Sequence, residues 1–164
     1  RERDWSSDVC SSDLKDNLIN TFDALLEMGV IPIVNENDSV SYTEIESNDR
    51  LFGDNDMLSS VVAVLCRASK LVIFSDIDGF YNCDPRLHPD AKLIEEIDKI
   101  DDEVYKLAGG AGSRRGTGGM RTKLQAAALA TSQGIDTIIT NGKNPAALYN
   151  IIEGVPVGTK FKAQ

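Results

Sequence analysis

GTGGMRTKLQAAALATSQGIDTIITNGK, residues 116–143, is the stretch on which the fold turns. Residues 120–133 read as a helix, Gly134 stands where its C-cap belongs, and Thr137-Ile138-Ile139-Thr140 is a short β-branched run that reads as a buried strand. The strand runs out into polar Asn141-Gly142-Lys143. Glycine loop, helix, cap and strand in that order make one helix–strand unit of a parallel α/β sheet.

Two more such units precede it. Leu18, Ile19, Phe22, Leu25, Leu26 and Met28 recur at helical spacing, Gly29 closes that helix, and Val30-Ile31-Pro32-Ile33-Val34 follows as an apolar strand. Pro32 is tolerable near the start of that strand, where a residue need not donate to a ladder. Residues 35–56 are polar and read as a long loop or a short hairpin, with Val40, Tyr42 and Ile45 alternating. Residues 57–68 are almost continuously apolar, which predicts a helix buried on most sides, and Leu71-Val72-Ile73-Phe74 is the next strand. Weaker signals follow: a turn-rich segment at 78–86, an extended piece at 93–97, a helix over 101–108 and a glycine-rich loop at 109–119. A last helix near 146–151 precedes an extended tail at 155–161. Helix and strand alternating three times predict parallel α/β architecture, with no internal repeat and no linker dividing residues 15–164. Residues 1–14, RERDWSSDVCSSDL, show no sustained period and resemble a translated sequencing adapter, so the fold is read without this non-native leader. A genuine frayed terminus is the other reading.

The 164 residues, 41% hydrophobic and 26% charged, suit an ordinary soluble domain with a real core. A net charge of −9 repels phosphate backbones and anionic lipid, which argues against nucleic acid and membrane partners. It does not argue against a small anion held by backbone amides and one lysine. Cys10, Cys66 and Cys83 are odd in number and follow no ligand spacing, so neither a disulfide framework nor a zinc site is expected, and Cys66 reads as a small core residue. No apolar run approaches the roughly 20 residues of a membrane span, and nothing resembles a secretory signal. A reducing cytoplasm is the expected setting.

Ligands of open parallel sheets bind outside the carboxyl ends of the strands. Each strand here ends in polar loop formers: Asn35-Glu36-Asn37-Asp38, Ser75-Asp76 and Asn141-Gly142-Lys143. Gly116-Thr117-Gly118-Gly119 lets the backbone approach an anion, the following helix start offers unpaired amides, and Lys123 adds a point charge. Lys123 lies four residues beyond the last glycine, so this is not the Walker pattern, and a flexible loop with a solvated lysine is the plainer alternative. Gly53-Asp54-Asn55-Asp56 precedes a helix, and capping accounts for one of its polar residues rather than all three. Asn37-Asp38 stands to share the same cleft. Ser75-Asp76, Asp78-Gly79 and Asp84-Pro85 suit ordinary turns as well as a site. His88 finds no Ser-His-Asp or Cys-His arrangement and reads as an exposed loop residue.

Taken together, IPIVNEND (31–38), FGDND (52–56), SDIDGFYNCDPR (75–86), GTGGMRTK (116–123) and GVPVGTKF (154–161) resemble the glutamate 5-kinase branch of the amino acid kinase superfamily. The similarity runs from about residue 17 to the C-terminus. GTGGMxTK with NEND and GDND marks this branch, whereas DGxYxxDP is shared with acetylglutamate, aspartate and uridylate kinases. The resemblance implies a three-layer αβα sandwich around a mainly parallel sheet. It implies transfer of the ATP γ-phosphoryl to the side-chain carboxylate of L-glutamate, giving glutamyl 5-phosphate, the first committed step of proline synthesis.

By the same resemblance, Asp38 and Asn55 contact glutamate. Ser75 and Asp76, with Thr117, Gly118, Gly119, Met120, Arg121, Thr122 and Lys123, hold the nucleotide. Asp56 organises the catalytic lysines, and Lys123 stabilises the phosphoryl group in transit. ATP is the co-substrate, with Mg2+ carried mainly on its phosphates and no metal site in the protein. The acceptor carboxylate is already ionised at neutral pH, so alignment and charge neutralisation suffice without a strong base. The family's opening strand with its lysine and glycine, its second glycine-rich loop and the RNA-modification-type (PUA) domain of some members have no counterpart in this sequence. The parent is therefore expected to be a homo-oligomeric kinase, with proline a candidate feedback inhibitor, and this C-terminal portion to have little or no activity by itself. Another amino acid kinase, such as one acting on acetylglutamate, and a non-catalytic nucleotide-binding module are the alternatives.

Overall fold

The computed structural model describes residues 6–35, 55–108 and 117–164. In chain order the elements are α1 (Ser6–Glu27), α2 (Asn55–Leu65), β1 (Lys70–Ser75), β2 (Glu96–Ile97), α3 (Asp102–Ala108), α4 (Thr117–Ser132), β3 (Asp136–Asn141), α5 (Ala147–Ile152) and β4 (Thr159–Phe161). The strands form one sheet in the order β1-β3-β4-β2. β1 runs parallel to β3, with Leu71 opposite Thr137 and Ile73 opposite Ile139. β4 is antiparallel to β3 and parallel to β2, so the sheet is mixed.

Short connectors fix the orientation of the helices. Residues 66–69 join α2 to β1, and residues 133–135 join α4 to β3, so each helix folds back along its strand. The starts of both helices therefore lie at the carboxyl edge of the sheet. α4 stops where it does because Gly134 adopts φ +78. That conformation lets the Gly134 N–H reach the Thr131 carbonyl and the Ile135 N–H reach the Ala130 carbonyl, each at 3.1 Å.

The core lies where α4 crosses the sheet. Leu124, Ala126, Ala127 and Ala130 are completely buried, and the three alanines let α4 pack closely against α2 and β3. Leu71, Ile73 and Ile139 join them in one cluster, occupying every second strand position as the pleat requires. Phe80 and Phe161 close its far side edge to face, with ring centroids 6.3 Å apart. Thr159 pins β4 to the long excursion after β1, donating to the Ile94 carbonyl at 2.6 Å and accepting the Phe80 N–H at 2.7 Å. Asp136 ties down the tail, 2.8 Å from the Lys160 ammonium and 2.9 Å from the Ala163 N–H. Burial pushes its carboxyl up, but the Lys160 and Ala163 hydrogen bonds with the charges of Lys160 and Lys70 outweigh that and hold it below the usual range.

Thr137 is completely buried, and its hydroxyl has no hydrogen-bond partner among the described residues. A buried hydroxyl without a partner costs stability that a methyl of similar shape does not. Thr137→Val is expected to stabilise the fold by about 1 kcal/mol. Denaturant unfolding checks this, and a lower midpoint in the variant would show that the hydroxyl is satisfied after all.

Several expectations change. Residues 30–35 form no strand, and Ile31 and Ile33 are 86% and 96% exposed. Apolar, β-branched chain becomes a strand only beside a partner, and none is supplied among the described residues. In α2 only Ser60 and Ala63 are buried, because one face packs on α4 and β1 while the other borders residues 32–35. α4 begins at Thr117, so Thr117-Gly118-Gly119 form its first turn instead of ending a loop. α1 begins at Ser6, within the leader that shows no sustained period. The alternation at Val40, Tyr42 and Ile45 and most of the 109–119 loop fall outside the described residues.

Candidate active site

Two helix starts meet at the carboxyl edge. Asn55 and Asp56 open α2, where a carboxylate is favoured by the unpaired amides and the positive end of the dipole. Lys123 lies in the second turn of α4, and its ammonium is 2.8 Å from Asp56 Oδ2. The two side chains are only 16% and 13% exposed, so their attraction is weakly screened and their separation would be costly. The Thr122 hydroxyl is shared between the Gly119 carbonyl at 3.0 Å and Asp56 Oδ2 at 3.3 Å. The pair is thus held in place by groups on both helices.

The neighbouring strand ends supply the rest of the edge. Ser75 closes β1, and its hydroxyl donates to Asp76 Oδ1 at 3.1 Å. The Gly142 N–H donates to the Ser75 carbonyl at 2.8 Å, which locks the end of β1 to the end of β3. Asn141 donates from Nδ2 to Asp78 Oδ1 at 2.7 Å. The Tyr81 hydroxyl donates to Asp78 Oδ2 at 3.3 Å. Burial first, and then the Asp78 charge and hydrogen bond, raise the Tyr81 hydroxyl above its ordinary range and keep it a donor.

Of the residues singled out from sequence, Asp56, Thr122 and Lys123 come into direct contact. Ser75 and Asp76 lie at the same edge, and Asn55 begins α2 beside a groove lined by Pro32, Val34, Asn35, Leu58, Ser59 and Val62. Thr117, Gly118 and Gly119 form the first turn of α4, where no Cβ contact would crowd Gly119. Met120 packs against the core, and Arg121 is exposed. Asp38 lies outside the described residues. His88 is exposed, as expected of a loop residue. Cys66 is half-buried at the end of α2 instead of in the core as expected, and burial chiefly, with the Asp23 charge, pushes its thiol up. The Asp78–Asn141 bond has no signal in the sequence, where both residues read only as strand-end and turn formers.

An open α/β sheet with polar groups gathered at its carboxyl edge, beneath two helix starts, is a protein of the class that takes ligands at that edge. The chain belongs to the amino acid kinase family, whose sequence profile matches residues 6–141. It is 56% identical over 151 residues to the glutamate 5-kinase of Clostridium perfringens, a match covering 92% of this chain and 56% of that protein. With the glutamate 5-kinase of Listeria monocytogenes serotype 4a it shares 49% over 150 residues, covering 92% and 54%. The chain thus spans about half the length of the curated relatives it matches. A solved UMP kinase from Ureaplasma parvum has a TM-score of 0.58 at 18% identity, over 88% of this chain and 52% of that one, a likeness of fold alone. Family and fold together give the αβα class expected from sequence. No helix among the described residues is long and apolar enough to cross a membrane.

Proposed function

We propose that this chain carries the nucleotide side and part of the acceptor side of a glutamate 5-kinase, which phosphorylates the side-chain carboxylate of L-glutamate with ATP. The observation that carries the reading is the Lys123–Asp56 pair, held between two helix starts at the carboxyl edge of the sheet. It has the chemistry phosphoryl transfer needs. An oxygen of the glutamate carboxylate bonds to the γ-phosphorus as the bond to the bridging oxygen breaks, and ADP leaves with the electron pair. Lys123 meets the charge on the phosphoryl oxygens, Asp56 fixes where the ammonium stands, and the first-turn amides of α4 cradle the phosphates. Ser75 and Asp76 bound the nucleotide at the end of β1. Asn55, with Asp38, addresses glutamate.

Among the described residues no three His, Cys, Asp or Glu side chains come together to hold a metal. Mg2+ would be held mainly through the ATP phosphates, where it would offset the charge on the transferring group. The whole enzyme is read as a cytoplasmic homo-oligomer at the first step of proline synthesis, with proline a candidate feedback inhibitor.

The reading is tested by completing the chain with the portion of the Clostridium perfringens relative beyond the matched region and measuring ADP formation. Turnover that requires glutamate is expected, with little or none from the 164-residue chain by itself. A folded chimera that binds ATP but responds to acetylglutamate, or to no amino acid, would move the assignment to a sister kinase or to a binding module.

A further inference from the structure

Asp78 and Asn141 have no part in the transfer chemistry, yet they close the edge on which it depends. β1 and β3 end level, with Ser75 opposite Asn141. The Gly142 N–H, 2.8 Å from the Ser75 carbonyl, carries the pairing one step beyond the strands. Past that point the connection is made by one side chain. Asn141 donates from Nδ2 to Asp78 Oδ1 at 2.7 Å and accepts the Lys143 N–H on Oδ1 at 2.9 Å, so both ends of its amide are used. The other oxygen of Asp78 accepts the Tyr81 hydroxyl, and Tyr81 is itself anchored by a bridge to Leu93.

We propose that the Asp78–Asn141 bond is a positioning device for the nucleotide, fastening the turn 76–79 so that Ser75 and Asp76 stand in place before ATP arrives. This rests on the nucleotide side of the kinase reading above. An exposed turn left to itself samples many conformations, and ordering it on binding costs affinity. A turn tied in advance to the neighbouring strand avoids that cost. The residue types fit such a tie, since Asp76 and Asp78 already place two carboxylates in the turn. A neutral amide can donate to one of them and still accept a backbone N–H with its other end. Asp78 and Asn141 act through Ser75 and Asp76 and are positioning residues.

A polarity swap tests this. Mg·ATP is titrated calorimetrically into the completed enzyme, and thermal unfolding is recorded for the unaltered protein, Asn141→Asp, Asp78→Asn and the double variant. Asn141→Asp sets a carboxylate against Asp78 and is expected to raise the Kd for ATP by about tenfold. The double variant restores a donor–acceptor pair with reversed polarity and is expected to recover affinity to within about twofold of the unaltered protein, a recovery that a loss of general stability does not produce. If Asn141→Asp does not fold, Asn141→Ala takes its place. An unchanged Kd in the folded single variants, or a double variant as weak as Asn141→Asp, overturns the inference and leaves the kinase reading intact. Failure of the unaltered completed enzyme to bind ATP removes both.

Discussion

In the completed enzyme, Lys123→Ala is expected to lower kcat by roughly 10²–10³-fold, the scale seen when one preorganised charge-stabilising donor is taken from a transition state. The ammonium stands 2.8 Å from Asp56 and is only 16% exposed, so it is fixed before substrate arrives and needs no reorganisation during transfer. Its partner makes the interpretation delicate. Alanine takes the Lys123 cation from a carboxylate only 13% exposed, and losing a charge partner in such a place destabilises the fold. Lys123→Met combined with Asp56→Asn removes both charges together and separates the two effects. That double variant is expected to unfold close to the unaltered temperature yet remain as slow as Lys123→Ala. Lys123→Arg keeps the charge but not the compact ammonium, and is expected to recover only part of the rate. Steady-state assays at saturating ATP and glutamate, run beside thermal unfolding, decide the matter. A stable double variant with near-normal kcat would remove Lys123 from the chemistry.

What the sequence made legible follows from the range of the forces involved. The helix over 117–132 and the strands at 70–75 and 136–141 announce themselves through local periodicity and β-branching, which need no knowledge of neighbours. Val30 to Val34 carries the same strand signal, yet forms none here, because a strand is a relation between two segments. Lys123 and Asp56 could each be singled out, one after a glycine loop and one before a helix, and the family resemblance supplied their roles. Their contact spans 67 residues and depends on both helices folding back along adjacent parallel strands. Asp78–Asn141 lay further out of reach. It arises from the level ends of β1 and β3, a register that no single segment encodes, and both residue types are also ordinary turn formers.

The largest loss of stability is expected at Gly158. It lies directly before β4 with φ +65, a conformation that L side chains rarely adopt. The backbone alone would make alanine cost about 1 kcal/mol there. Packing makes it far worse. A Cβ on Gly158 would overlap the Ile139 carbonyl oxygen and lie 2.8 Å from Thr140 Cβ and 3.0 Å from Thr140 Cα. All three belong to β3, the strand between β1 and β4, and none is the yielding end of a flexible side chain. Relief would require β4 to move away from β3, breaking the antiparallel pairing of Ile139 with Thr159 and disturbing the buried Thr159 hydroxyl that binds Phe80 and Ile94. Gly158→Ala is therefore expected to destabilise the fold by more than about 4 kcal/mol, most of a small domain's margin. Gly154→Ala supplies the comparison: φ is positive there too, at +80, but nothing lies within 4 Å of the added carbon, so only the backbone cost of about 1 kcal/mol applies. Denaturant unfolding of the two variants separates conformation from collision. Equal losses would mean that β4 can shift freely, and that the 154–161 segment joins the sheet more loosely than its contacts show.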